Sequence, residues 1–504
     1  MKTLACVFSI LMCFAAFTAD AAIYKWKDAS GRVNFGDRPV AQSSEIKIDQ
    51  GSSRTGTETG ATQAAPRQPV QDTAVPVSPT QPQPVTQAIQ TQRIPAASPP
   101  PSTPRAVNAD KTFPRLLGMN IGAKNYQDPA YQKALARLDV VILGFYRGWT
   151  ANGATIESVV KSLKALHPDI LVGQYTILSE AYEKDGKHLP DYDKAFKLDR
   201  ENWWLRKADG SKVQWTKDYQ AWQTNISDWT QRDFNGDRYP EWLAKRDYQA
   251  YFRDAPDIDI WYFDNVGKRP EVRLSDWKRD GQDDNHDAAP IAAAYRRGHA
   301  AEWNKARQLA PNVLLMGNIS VGHDLSEPEY RGKLNGAFME GMMGYSWSIE
   351  KWAGWGKMMA LYHSVFPNLS APAIVGFNVS GKPDDYRFFR YAYASCLMDN
   401  GYFSFTDERV GYSSVPWFDE YDINLGHAID APQTAPWQNG VYRRVFERGM
   451  VLLNPGVHAV SVTVGTGYKR FSGKQDAGVN SGASVEQVTI PPRDGIVLVK
   501  QNPG

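Results

Sequence analysis

Apolar and polar positions alternate in clearly different ways along successive stretches of the 504 residues. Lys2 precedes a mostly apolar run, Leu4 to Phe17, which closes on Ala19-Asp20-Ala21-Ala22. A charged start, a short apolar stretch and small residues at its end have the form of a secretory signal cut near Ala21 or Ala22, so residues 1–22 are set apart from the fold. The run is too short to cross a bilayer, and no later stretch of about 18 uncharged apolar residues follows. The chain is therefore expected to be exported, to the periplasm or the exterior of a bacterium, and not to be a transmembrane protein. Ile10-Leu11-Met12 before Cys13 lacks the small residue of a lipoprotein cleavage site, so no lipid anchor is expected.

From Ile23 to Pro39 two short alternating segments flank Asp28-Ala29-Ser30-Gly31, which predicts a β-hairpin with Tyr24, Trp26, Val33 and Phe35 on one face. This small unit is assigned residues 23–50. Residues 51–112 are Pro, Gln, Thr, Ser and Ala with almost no large apolar side chain, a composition that cannot bury enough surface to order itself and reads as a disordered, semi-rigid tether.

After Phe113 short apolar runs alternate with amphipathic helical stretches, the mark of βα units and a parallel sheet. The runs Leu116–Gly122, Val140–Tyr146, Ile170–Ile177, Ile258–Val266, Val313–Ile319, Gly336–Gly341, Ala373–Val379 and Tyr402–Thr406 give eight strands. Helices are expected at Thr155–Leu166, Ile291–Leu309 and Asp384–Met398. The fold class that follows is α/β, a TIM (β/α)8 barrel over residues 113–434. A doubly wound sheet is the alternative, but no Gly-x-Gly-x-x-Gly fingerprint follows the first strand. Residues 435–504 carry five more short runs with Gly and Pro turns, a C-terminal antiparallel β-sandwich domain.

Composition narrows the partners. Lys plus Arg number 57 against 55 Asp plus Glu, so nothing in the net charge of +2 favours nucleic acid. Trp is abundant, and six of the 16 lie between Ser179 and Pro256, an insertion after strand three that should cover the barrel mouth. Two readings stand for it: flat stacking surfaces for sugar rings, or a small core of the insertion's own. Cys6 and Cys13 leave with the signal; Cys396 alone remains, among helix-interior neighbours, and is expected to be a buried small hydrophobe.

Barrel enzymes carry their chemistry at the C-terminal ends of strands, so polar residues that close an apolar run are the candidates. Asp264 closes Ile258 to Phe263, and Glu340 closes Gly336 to Met339. Two carboxylates projecting into one mouth are what glycoside hydrolysis needs, one as nucleophile or base and one as proton donor. The structural alternative is an ion pair with Arg147 or Lys124. Tyr146, Arg147, Gln174, Tyr175, Asn265, Asn318 and Asn378 form the candidate substrate-binding set, since phenols, amides and a guanidinium pair with sugar hydroxyls. Asp407 joins that set and, with Glu408, is also a spare acid.

Other chemistries are weaker. Asp233-Phe234-Asn235-Gly236-Asp237 spaces oxygen ligands like a calcium loop, but Arg238 stands where an EF-hand needs Gly. Asp283 to Asp287 lacks a second His at ligand spacing, and no Gly-x-Ser-x-Gly elbow is present. No metal and no cofactor is expected.

Two resemblances add to this reading. Tyr24, Trp26, Asp28, Gly31, Asp37 and Pro39 resemble the signature of a small bacterial envelope domain of unknown function, either an adaptor for an envelope partner or a capping element. From about Phe113 onward, Trp261-Tyr262-Phe263-Asp264-Asn265, Gly317-Asn318-Ile319-Ser320, Phe338-Met339-Glu340-Gly341 and Pro416-Trp417-Phe418-Asp419-Glu420 resemble a bacterial family of hypothetical glycoside hydrolases. That family is similar to endo-α-1,4-polygalactosaminidase-like barrels and, more distantly, to α-galactosidase-type barrels. The resemblance implies a retaining mechanism on an envelope or extracellular polysaccharide or oligosaccharide, with Asp264 as nucleophile and Glu340 as acid/base. The rival reading is a non-catalytic carbohydrate-binding or scaffolding protein, recognisable if the two acids share no open cleft or are each locked by a cation.

Overall fold

The structure, a computed structural model, describes the strands at 23–27, 33–36 and 44–46, and residues 111–501 apart from 123–124, 146–148, 150–152, 183–191, 217–220 and 321–324. Two compact units result, Met1–Pro101 and Ser102–Gly504.

In the first unit Ile23–Lys27 pairs antiparallel with Val33–Gly36 and with Ser44–Ile46. The register sets Lys25 opposite Phe35 and Trp26 opposite Asn34. The four-residue face expected for this hairpin concerns side chains outside those described. The turn residues 28–31 lie outside the described residues.

The second unit is a closed barrel. Its strands are β1 (Leu117–Asn120), β2 (Val140–Leu143), β3 (Leu171–Ile177), β4 (Ile260–Asp264), β5 (Leu314–Asn318), β6 (Gly336–Met343), β7 (Ile374–Gly381) and β8 (Tyr402–Asp407). All neighbours are parallel and in chain order, and a parallel bridge from Leu116 to Phe403 joins the last strand to the first. This is a TIM barrel.

Strand periodicity builds two cores from one sheet. Ile260 and Tyr262 of β4, Met316 of β5 and Phe338 of β6 point inward, with Met119, Ile142 and Ile374 from other strands. Trp261, Phe263, Leu315 and Met339 alternate outward and pack beneath the helices. The helices α1 (Pro129–Leu135), α2 (Ile156–Leu166), α3 (Tyr192–Arg200), α4 (Tyr239–Asp247), α5 (Ala289–Leu309), α6 (Ile349–Ala353), α7 (Trp355–Val365) and α8 (Tyr386–Leu397) lie between strands. Their starts are written locally: Thr155 and Ser158 cap α2 reciprocally, and the Asp385 side chain accepts the Phe388 N–H at the start of α8.

The insertion after β3 supplies a separate core. Trp203 and Trp204 are buried with Leu198, Leu205, Tyr239, Leu243 and Tyr295, and Trp222, Trp229 and Trp242 pack against them. Only Trp215 of the six is exposed, at 45%. Of the two readings of this Trp-rich stretch, the insertion's own core accounts for five rings.

At the C-terminal end β9 (Tyr442–Phe446), β10 (Gly449–Asn454), β11 (Val460–Arg470), β12 (Ser484–Ile490) and β13 (Asp494–Lys500) form an antiparallel sheet in the order β9-β10-β13-β11-β12. The register of β11 against β12 shifts between Thr463 and Tyr468, and beyond the shift β11 pairs with β12 on one side and with β13 on the other. The sheet folds over itself there, and Val462, Val488 and Ile490 share a core with Met450, Leu452, Ile496 and Leu498. Its other face joins the barrel. Buried Arg444 donates to the carbonyls of Leu397 and Asp399, satisfying acceptors at the end of α8. No described helix is long and apolar enough to cross a membrane.

Candidate active site

The same alternation that buries Tyr262, Met316 and Phe338 inside the barrel carries the next inward position of each strand to the mouth. Those positions are Asp264 on β4, Asn318 on β5 and Glu340 on β6, and Tyr175 on neighbouring β3 joins them. The chain then turns sharply after each. Asn265 (φ 53°) and Ser320 (φ 45°) take left-handed backbone conformations, as does Gly341 (φ 83°). Such strain concentrates where geometry matters for function. The register of β6 against β7 also shifts between Met339 and Met343, so Glu340 stands at a bulge that re-aims it.

The side chains form one hydrogen-bonded row. Asn318 Nδ2 donates to Asp264 Oδ1 and to Glu340 Oε2, each at 2.8 Å. The Tyr175 hydroxyl donates to Asp264 Oδ2, and the Tyr412 hydroxyl contacts Glu340 Oε1. A second hydroxyl, Tyr345, lies 3.2 Å from that of Tyr412. Tyr175, Asp264, Asn318, Glu340 and Tyr412 line a cleft of about 210 Å³ floored by Met119, Tyr262 and Phe338. A neighbouring cavity between β1 and β8 has no carboxylate in its lining.

Both carboxyls are pushed above their ordinary range. Burial is the main cause for Asp264, opposed by hydrogen bonds from Tyr175, Asn318 and the Asn265 backbone. Burial also dominates at Glu340, and the nearby charge of Asp264 adds to it, against the bonds from Tyr412 and Asn318. Two close acids with different environments are arranged to titrate apart.

The remaining predicted residues are placed as follows. Tyr146 and Arg147 lie outside the described residues, as does Lys124. Gln174 is fully buried and spans main-chain groups, accepting from Phe145 N at 3.0 Å and donating to Tyr175 O at 2.6 Å, so it braces β2 against β3 rather than lining the cleft. Asn265 faces Asp264 with its backbone. Asn378 is buried behind Tyr345, whose hydroxyl it accepts at 3.2 Å. Asp407 does not join the cleft: its carboxylate is held by Arg409 at 2.9 and 3.0 Å, a salt bridge formed because the chain doubles back at Gly411.

Two aromatic groups escaped the sequence reading. Tyr412 and Tyr345 sit in loops after β8 and β6, where no apolar run ends on them. Trp347 stacks on Tyr345 at 4.7 Å and packs over Gly341, where a side chain would collide with its ring. It is 43% exposed. Among the described residues no cluster of His, Cys, Asp and Glu could hold a metal. Asp233 and Asp237 of the calcium-like loop instead pair with Lys197 at 2.7 Å and Lys245 at 2.6 Å. Burial pushes the Cys396 thiol up to about 12, which leaves it inert.

The profile of hypothetical glycosyl hydrolase family 15 matches residues 164–450, which hold β4, β5, β6 and Tyr412. The chain belongs to that family. A domain of unknown function (DUF4124) matches residues 10–109. No curated protein matches the chain. Among solved structures, the glycoside hydrolase domain of PelA from Pseudomonas aeruginosa is similar at 14% identity, covering 60% of this chain and 98% of its own, with a TM-score of 0.39. An alpha-amylase from Geobacillus thermoleovorans complexed with acarbose is 10% identical over 77% of this chain and 99% of its own, with a TM-score of 0.43. A GH27 β-L-arabinopyranosidase from Geobacillus stearothermophilus is 10% identical over 79% and 98%, with a TM-score of 0.41. This member of hypothetical glycosyl hydrolase family 15 therefore carries its paired acids on the strands that its family profile spans.

Proposed function

We propose that the chain is an exported glycoside hydrolase that cleaves an envelope or extracellular polysaccharide with retention of configuration. The observation that carries this reading is Asn318, whose one amide nitrogen reaches both carboxylates at 2.8 Å. The bonded oxygens of Asp264 and Glu340 are thus separated by at most twice that distance. That nearest approach suits the ~5–5.5 Å carboxyl separation of retaining pairs better than the ~6.5–9.5 Å of inverting ones.

In this mechanism Asp264 attacks the anomeric carbon while Glu340 gives its proton to the departing glycosidic oxygen. Glu340, now ionised, then takes a proton from water, which displaces Asp264 from the same carbon. The division of roles follows from the surroundings. Asp264 receives a phenol, an amide and a backbone N–H, donors that favour its anion. Glu340 faces the Asp264 charge, which favours its keeping a proton. The leader pattern at 1–22 supports export.

A binding protein without turnover is the competing reading. It is disfavoured because the described groups that bond the two acids are all neutral and the acids share an open cleft. The deciding experiment screens the purified protein against exopolysaccharides of its own organism and follows the first product anomer by NMR. The same anomeric configuration as the substrate is expected. A first product of opposite configuration would overturn retention, and binding without any released reducing end would overturn hydrolysis.

A further inference from the structure

The acid row does not end at Glu340. Tyr412 lies against Glu340 Oε1, Tyr345 lies 3.2 Å from Tyr412, and Asn378 Oδ1 lies 3.2 Å from Tyr345. The orientation of the Asn378 amide is set independently. Its nitrogen faces the Ser404 carbonyl at 3.3 Å and Thr406 Oγ1 at 3.0 Å, and a carbonyl accepts only. Asn378 therefore presents an oxygen to Tyr345, and Tyr345 must donate to it.

Each phenol has one proton, so the rest follows by counting. With the Tyr345 proton committed to Asn378, the bond between the two phenols needs the proton of Tyr412. If Tyr412 gives it there, none is left for Glu340, and the contact in which the Tyr412 hydroxyl otherwise donates to Oε1 is then made by a proton on Glu340. If Glu340 ionises, Tyr412 must turn to the carboxylate and Tyr345 to Tyr412, which leaves the fully buried Asn378 oxygen without that donor. The hydroxyls of Thr406 and Ser380, which also approach Tyr345, can donate to it in the reversed chain.

We propose that Tyr412, Tyr345 and Asn378 are positioning residues that form a single-file proton chain, anchored at Asn378, whose direction is tied to whether Glu340 holds its proton. This rests on reading Glu340 as the proton donor. The chain keeps the donor loaded before the first step and offers a ready hydrogen bond to its anion after it. Among the described residues, the other titratable groups that line the cleft with Glu340 are Asp264 and Tyr262 from β4 and Tyr175 of β3, and none of them belongs to the chain.

The test uses the whole protein labelled with ¹³C at glutamate Cδ and tyrosine Cζ, titrated by NMR without any substrate, so a failed glycosidase assignment leaves it intact. Glu340→Gln identifies the Glu340 signal. In Tyr345→Phe, Tyr412 has only Glu340 to donate to, so Glu340 should ionise at lower pH than in the unsubstituted protein. In Tyr412→Phe the Glu340 anion loses a donor and should form at higher pH. The two variants should differ on the order of tenfold in ionisation constant, the weight of one hydrogen bond to a charge. In the unsubstituted protein the Tyr345 signal should move at the Glu340 midpoint, although the two residues do not touch; this arm stands even if a variant fails to fold. Shifts of the same sign in both variants, or a Tyr345 signal indifferent to Glu340, would overturn the chain.

Discussion

Two regions of this molecule are rich in acids and aromatic rings, and they use them in opposite ways. In the insertion after β3, Asp233 is buried beside Lys197, and Asp237 beside Lys245. Burial would raise Asp233, but Lys197 and backbone N–H groups outweigh it and hold the carboxyl below its ordinary range. At the barrel mouth Asp264 and Glu340 are bonded by neutral groups, and burial holds both above theirs. A cation fixes an acid as an anion across the working pH range and removes it from proton transfer. Neutral donors position an acid without settling its charge, which is what acid/base chemistry needs. The rings divide likewise: Trp203 is fully buried and Trp347 stands at the rim, 43% exposed.

The largest effect expected from this contrast is on turnover. Asp264→Asn and Glu340→Gln should each lower kcat by about 10³-fold or more while the far-UV spectrum is kept. Asp233→Ala should leave kcat near its starting value and cost about 2 kcal/mol in urea unfolding, because it removes one of the two carboxylates, with Glu201, that pair the buried Lys197. Equal losses of turnover from both classes would break the distinction between paired and unpaired acids.

The pH dependence sharpens it. The proposed mechanism needs Asp264 ionised and Glu340 protonated, so both limbs of the kcat/KM profile should lie above the usual carboxylate range. Stability should carry the same signature. A carboxyl raised in the folded state keeps its proton after the unfolded chain has released its own, so stability falls as pH rises between the two values. Glu340→Gln should therefore stabilise the fold at neutral pH and make no difference in acid, where the native residue is already protonated. Melting curves at pH 4 and pH 8 would separate this from a general packing effect, which would appear at both.

All eight barrel strands were legible because each is a short apolar run between turn signals, and the acids stood out because a charge closing such a run has no packing explanation. Asn318 was legible for the same reason. The ends of the strands were not, since Met343 and Gly381 continue a ladder beyond the apolar run that reveals it. Tyr412 and Tyr345 were hidden because they come from loops, whose approach to the cleft depends on backbone turns and carries no periodic signal. Asp407 misled for a related reason. It closes β8 as Asp264 closes β4, but Arg409, two residues on, reaches back and neutralises it. The Trp-rich insertion misled in part, because composition counts rings without saying which face they occupy.

The smallest predicted effect separates those rings. The exposed indole of Trp347, packed over Gly341 and stacked on Tyr345, is placed to offer a stacking face to a sugar bound in the neighbouring cleft, and aromatic stacking is worth about 0.5–1.5 kcal/mol. Trp347→Ala should thus raise KM by about two- to tenfold with kcat unchanged. Trp203→Ala should leave KM alone and cost about 3–5 kcal/mol of stability, the price of emptying a packed site. Trp215→Ala is the sharpest control, because Trp215 is exposed like Trp347 but its indole N–H is tied to Glu180 at 2.7 Å in the insertion. If Trp215→Ala raises KM and Trp347→Ala does not, the stacking surface belongs to the insertion after all, and the division of labour between the two regions holds for acids but fails for rings.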